Sequence, residues 1–206
     1  VAVTAKKLVL ATRNMDKVRE MRQVLADVGW EVLSLEQFPE VREVVEDGTT
    51  IEANAIKKAL VIAQHTGLVA LADDTGLEVA ALGGAPGVCS SRYAGPGATY
   101  ADNVRKLLRD LDGVPEEQRA ARFRCVIAIA EDERVQTVEG VCEGRITMAP
   151  RGNGGFGYDP VFLVPQLGLT FAEMSLAQKN ALSHRGQALR QAKAVLATWK
   201  THEQRG

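Results

Sequence analysis

The sequence predicts a mixed α/β fold, and two observations carry that prediction. The first half of the chain alternates short apolar runs with stretches of helical spacing. The second half holds consecutive β-branched runs joined by the acidic turn Glu131-Asp132-Glu133, which reads as an antiparallel meander. With 206 residues, 46% of them hydrophobic, the chain is long enough for one domain with a sizeable core.

Residues 8–12 read as a first short strand. Over 15–28, Val18, Met21, Val24, Leu25 and Val28 fall on one helical face, with Asn14 placed as N-cap. Residues 31–35 are a second strand, and the acidic, irregular stretch 36–48 is a surface loop. Thr50 caps a helix over 51–66 that Gly67 ends. A buried strand follows over 68–72, with a further extended piece over 77–80. Gly83-Gly84-Ala85-Pro86-Gly87 and Gly95-Pro96-Gly97 bracket a long loop. Residues 100–111 are helical. Strands over 123–130, 134–141 and 143–148 make the meander, and a glycine-rich loop, 151–158, precedes a short strand over 161–164. A last helix spans about 183–200.

Charge is balanced, 25 Lys+Arg against 26 Asp+Glu, so an extended nucleic-acid face is not expected. Cys89, Cys125 and Cys142 are odd in number and lack CxxC spacing. They read as buried free thiols of a reducing compartment. The start, Val1 to Lys7, lacks the apolar core of a secretory signal. No run approaches the roughly 20 apolar residues of a membrane span. The expectation is a soluble, cytoplasmic protein.

Four segments could carry chemistry. Asp73 and Asp74 end an apolar run and precede Thr75-Gly76. Buried carboxylates need a positive partner, and a divalent metal serving a phosphate substrate is one such partner. Taken alone, Asp-Asp-Thr-Gly also reads as a turn. Glu46 is a possible second ligand, or a solvated loop charge beside Asp47. Thr12-Arg13-Asn14-Met15-Asp16-Lys17 stands where a strand gives way to a helix, a natural anion site or an ordinary cap. The segment 152–160 contains GxGxxG, but Asp159-Pro160 follows at once, so no Rossmann helix starts there. It offers instead a flexible backbone holding Phe156 and Tyr158, suited to stacking on a base or to a core-facing loop. Finally, Lys179, His184 and Arg185 supply donors for phosphate or a carbonyl oxygen. His65 and His202 read as surface residues.

Together these pieces resemble the inosine triphosphate pyrophosphatase family, the Ham1-like or RdgB-like purine NTP pyrophosphatases. The resemblance rests on Thr12-x-Asn14-x-x-Lys17, Ala72-Asp73-Asp74-Thr75-Gly76-Leu77, Leu82-Gly-Gly-Ala-Pro-Gly87, Gly154-Gly-Phe-Gly-Tyr-Asp-Pro160 and Ala181-Leu-Ser-His-Arg-Gly186. Each is weak alone; five in register over nearly the whole chain are specific. The resemblance implies a single domain over 1–206, with a long mixed sheet, flanking helices and two lobes around a central cleft. It implies a homodimeric, Mg2+-dependent enzyme that splits ITP, dITP and XTP into monophosphate and pyrophosphate. By the same carry-over, Asp74 is catalytic and a metal ligand, with Glu46 as second ligand. The substrate contacts are Thr12, Arg13, Asn14, Met15, Asp16, Lys17, Lys58 and Thr75 on the phosphate side. On the base side they are Phe156, Gly157, Tyr158, Asp159, Lys179, His184 and Arg185. Two departures stand out: Arg13 where many relatives have a small residue, and Ala53 where many have an acid. A Maf-type pyrophosphatase fits less well, given the Thr12 to Lys17 motif and Ser183-His184-Arg185. A non-catalytic nucleotide sensor fits less well, given Asp73, Asp74 and Lys17.

Overall fold

The computed structural model describes residues 5–201. His202 and the first four residues, which open the stretch tested for a signal, lie outside the described residues. The fold is mixed α/β. Among the described residues five α-helices, α1 (Met15–Leu25), α2 (Ile51–Thr66), α3 (Tyr100–Asp110), α4 (Leu176–Leu182) and α5 (His184–Thr198), accompany one mixed sheet. Its strands are β1 (Lys7–Leu10), β2 (Glu31–Ser34), β3 (Val69–Val79), β4 (Pro86–Gly87), β5 (Ala120–Glu131), β6 (Arg134–Ile146), β7 (Phe162–Val164) and β8 (Leu169–Thr170). The order is β2-β1-β3-β5-β6-β7-β8, with β4 paired to β3. β1 runs parallel to β2 and β3, while β4, β7 and β8 are added antiparallel. Among the described residues no helix is long and apolar enough to cross a membrane.

The chain divides into two compact units. Of the described residues, unit 1 comprises 5–74, 125–140 and 186–201; unit 2 comprises 75–124 and 141–185. Each has its own apolar core. In unit 1, Leu8, Leu10, Met21, Leu71, Ile127, Leu189 and Trp199 pack together. In unit 2, Leu77, Leu107, Phe123, Ile146, Phe162 and Phe171 do so.

Local chemistry explains most boundaries. The Asn14 side chain accepts from the Asp16 and Lys17 amides and starts α1. Thr50 caps α2 through the Ala53 amide, and Gly67, at φ 64, closes it in the left-handed conformation that glycine adopts without strain.

Three expectations are corrected, and one helix is added. The acidic pair does not end a strand: β3 runs unbroken through Asp73-Asp74-Thr75-Gly76, so the turn reading fails. Partners from other elements meet the carboxylates and override the turn preference of these residue types. The two strands read over 134–141 and 143–148 are one strand, β6. The last helix stands where the sequence placed it, as α5, and Ser183, extended at φ −67 and ψ 158, parts it from a preceding helix, α4. The shorter of them, α4, escaped the periodicity reading, although Ser175 and Gln178 form a capping box. Lastly, Cys89 is exposed; only Cys125 and Cys142 are buried, and none of the three forms a disulfide.

Gly144 shows how closely β6 approaches β7. A Cβ there would stand 2.5 Å from Phe162 Cζ and 2.6 Å from the Leu163 carbonyl oxygen. Phe162 is fully buried, so its ring has nowhere to yield. Gly144→Ala is expected to lower stability by about 1–3 kcal/mol, the usual penalty of overpacking. Urea unfolding reads this directly, and an unchanged midpoint would show that β7 shifts at no cost.

Candidate active site

In unit 1 the anchor is the end of β1. The Ala11 amide donates to the Leu71 carbonyl at 2.8 Å, which fixes the turn into α1 beside β3. Thr12 Oγ1 accepts from the Asn14 amide at 3.1 Å, and Asn14 Oδ1 caps the helix. Lys17, in the first turn, then reaches Asp73: Nζ donates to Oδ1 at 3.0 Å. Cys125 Sγ lies 4.0 Å from the other oxygen of Asp73.

α2 contributes from its side. Asn54 and Lys58 are four residues apart and so share a helix face. Both reach Asp74. Asn54 Nδ2 donates to Asp74 Oδ2 at 3.1 Å, and Lys58 Nζ stands 3.7 Å from Asp74 Oδ1. The same ammonium donates to Glu46 Oε1 and to the Asp73 carbonyl, both at 2.6 Å. Glu46 and Asp74 therefore meet on one cation.

The electrostatics follow from burial. Asp74 is buried, and desolvation pushes its carboxyl above the ordinary range; Lys58 and Lys17 oppose this, while Glu46 and Asp73 add to it. Burial alone would lower Lys58, but Asp73, Asp74 and Glu46 together hold it above its usual value. A carboxylate of raised basicity next to an anion site is suited to accept a proton.

Among the described residues no three His, Cys, Asp or Glu side chains gather as a metal-holding group. The donor set still fits magnesium. It takes one or two carboxylates and fills the rest of its octahedron with water and phosphate oxygens. Glu46 and Asp74 already share a cation, that of Lys58.

In unit 2 the glycine-rich loop is fastened by Asp159. Its Oδ2 accepts from the Phe156 amide at 2.8 Å and from Lys179 Nζ at 2.5 Å, and both charged side chains are buried. Gly155 has φ +68, and a Cβ there would come 2.0 Å from Asp159 Oδ2, so only glycine lets the loop close on this carboxylate. The half-buried Phe156 ring then lies under Lys179 Nζ at 4.6 Å and Arg185 at 5.5 Å. Tyr100, at the start of α3, meets it at 5.8 Å. His184 stacks on Phe123 at 4.4 Å with rings 15° apart. Arg185 donates to Thr75 Oγ1 at 3.1 Å.

Unit 1 thus gathers Lys17, Glu46, Lys58 and Asp74, with Thr12 and Asn14 at the helix start. Unit 2 gathers Thr75, Phe156, Asp159, Lys179, His184 and Arg185. Other candidates are turned elsewhere. Arg13 donates to the Val41 carbonyl, Met15 is exposed, and Asp16 pairs with Arg19 at 3.5 Å. Tyr158 points into the core, its hydroxyl donating to the Ser90 carbonyl at 2.7 Å. Gly157, at φ +60, serves the loop's path. His65 is exposed, as its sequence context implied. Asn54 was not foreseen as a site residue; its spacing of four from Lys58 was the available signal.

The model of the Ham1 family matches residues 8–195. A dITP/XTP pyrophosphatase of Desulforamulus reducens is 53% identical over 199 residues, covering 96% of this chain and 99% of that protein. One from Syntrophobacter fumaroxidans is 57% identical over 183 residues, covering 88% and 78%. Among solved structures, a HAM1 protein from Coxiella burnetii superposes with a TM-score of 0.85 at 46% identity, covering 94% of this chain and all of that one. The Staphylococcus aureus Ham1 protein gives 0.82 at 36% identity, covering 93% and 98%. With a family model spanning nearly its whole length and full-length relatives at such identity, the chain belongs to the Ham1 family.

Proposed function

We propose that this chain is a dITP/XTP pyrophosphatase. It hydrolyses non-standard purine nucleoside triphosphates (ITP, dITP, XTP) between the α and β phosphates, clearing them from the nucleotide pool. The observation that carries the reading is the pair of carboxylates, Glu46 and Asp74, meeting one ammonium beside a lysine-bearing helix start. Full-length relatives named for the same activity support it. We also propose that the enzyme is a single-domain cytoplasmic homodimer that uses magnesium.

Residue roles follow from chemistry. Thr12, Asn14, Lys17 and the N-terminus of α1 hold phosphate oxygens, and Lys17 carries the leaving pyrophosphate. Lys58 adds charge to the same group. Asp74 orients a water for in-line attack and accepts its proton. Glu46 and Asp74 would hold magnesium, which would offset phosphate charge when bound.

Phe156 offers its face to the base, and Asp159 and Lys179 keep the loop in place. His184 and Arg185, both buried, donate toward the 6-carbonyl of hypoxanthine or xanthine. Adenine presents an amino group there, which leaves a buried donor unmatched. His184→Ala or Arg185→Ala is expected to shrink the ITP-to-ATP ratio of kcat/KM by about tenfold or more, since an unmatched buried donor costs about 1–3 kcal/mol. A fixed ratio with a lower overall rate would mean that these residues position phosphate and do not read the base.

The activity itself is tested by pyrophosphate release from ITP, XTP, GTP and ATP with magnesium at mildly alkaline pH. Fast release from ITP and XTP, and little from ATP, is expected. Binding of ITP without any release would instead mark a nucleotide sensor.

A further inference from the structure

Asn54 is fully buried on α2, and its amide makes two bonds in different directions. Nδ2 donates to Asp74 Oδ2 at 3.1 Å, and Oδ1 accepts from the Gly48 amide at 2.8 Å. The Gly48 N–H can only donate, so the atom facing it is the amide oxygen, which leaves the nitrogen for the carboxylate. Gly48 closes the irregular segment that carries Glu46, two residues earlier. One side chain therefore ties the strand bearing Asp74 to the loop bearing Glu46.

The contact leaves no slack on the loop side. A Cβ at position 48 would stand 2.6 Å from Asn54 Oδ1. Gly48 is not among the glycines with left-handed φ, so close approach, and not backbone conformation, is what calls for glycine there. On the strand side, the bond to Oδ2 sets the rotation of the carboxyl, so that Oδ1 is the oxygen lying 3.7 Å from Lys58 Nζ.

We propose that Asn54 is a positioning residue: it fixes the rotation of the Asp74 carboxyl and holds the Glu46 loop in register with it. The inference rests on the catalytic reading of Asp74. A side chain with a purely structural role would change stability and leave the chemical step alone. A positioning role predicts a loss in kcat with nucleotide affinity kept, because groups that orient a reacting carboxylate typically affect rate about 10–100-fold.

Asn54→Asp separates the two bonds. It keeps the volume and an oxygen acceptor for the Gly48 amide, but turns the donor facing Asp74 into a like charge. It is expected to lower kcat for ITP by about 30–100-fold with KM within about threefold. The Gly48 amide should keep its protection from hydrogen exchange. Asn54→Ala removes both bonds: kcat should fall at least as far, and the Gly48 protection should be lost. Gly48→Ala, pressing on Oδ1 from the loop side, should fall between wild type and these variants. If Asn54→Asp keeps kcat within about threefold of wild type while Asp74→Asn is inactive, the positioning role is wrong and the reading of Asp74 survives. If Asp74→Asn is itself active, that reading fails first. Should Asn54→Ala not fold, the Asp and Gly48 variants decide the matter.

Discussion

Asp74→Asn abolishes pyrophosphate release from ITP, by about 10³-fold or more, and leaves nucleotide binding within a few-fold of wild type. The rate loss is what removing a general base is worth. Nucleotide binding persists because the proposed phosphate-holding groups, Thr12, Asn14 and Lys17, are untouched. The fold persists as well. An asparagine at 74 has the same volume and can turn its carbonyl oxygen to Asn54 Nδ2, which now donates to Oδ2 at 3.1 Å. Lys58 keeps Glu46 and the Asp73 carbonyl, each at 2.6 Å. Stability has a sign of its own. Burial raises the Asp74 carboxyl above its ordinary range. A carboxyl with folded pKa above its unfolded value destabilises the fold as pH rises through that interval. Once ionised, Asp74 is thus a cost, and the neutral amide removes it. The variant should be inactive yet melt no lower than wild type, a combination typical of residues kept for chemistry. Calorimetric titration with ITP, together with a thermal scan, checks both halves. Full turnover in this variant would sink the assigned role.

How much of this could be read from sequence depends on how local each decision is. The limits of α2 were legible because Thr50 and Gly67 settle them within one turn. The course of β3 was not. Asp-Asp-Thr-Gly prefers a turn by its own chemistry, yet it runs as strand, and Lys17 and Lys58, 56 and 15 residues earlier, meet Asp73 there. The same holds for individual side chains. Phe156 and Lys179 were legible as candidates in separate segments, and the structure brings them within 4.6 Å. Tyr158 was not, because the Ser90 carbonyl that takes its hydroxyl lies 68 residues away in the chain. Asn54 was passed over for a similar reason: a polar residue in a helix shows nothing until its partners at 48 and 74 are in place. Spacing alone could have placed it beside Lys58; only the fold supplies the carboxylate between them.

Asp159→Ala is expected to cost unit 2 about 3–5 kcal/mol, the usual penalty for removing one partner of a buried ion pair. The Asp159 carboxylate meets Lys179 Nζ at 2.5 Å, with both side chains only 4% exposed. It also accepts from the Phe156 amide. Losing it withdraws the counter-charge from a buried ammonium and unfastens the glycine-rich loop together. For a chain of this size the loss lowers Tm by on the order of 10 °C. Two further variants separate the causes. Asp159→Asn keeps an oxygen for the Phe156 amide and removes only the charge, so any stability it recovers over the alanine variant measures the loop bond. Lys179→Met in the Asp159→Ala background removes the buried ammonium, so the double variant should be more stable than the two single losses added together. Strict additivity would mean that the two groups do not depend on each other. A loss under about 0.5 kcal/mol for Asp159→Ala, the range of ordinary surface changes, would mean that water or another group replaces the carboxylate. The functional consequence follows from the same contacts. Phe156 lies under Lys179 and Arg185, so a loop freed from Asp159 offers the base a mobile face. Discrimination between ITP and ATP should then weaken even at temperatures where the variant remains folded.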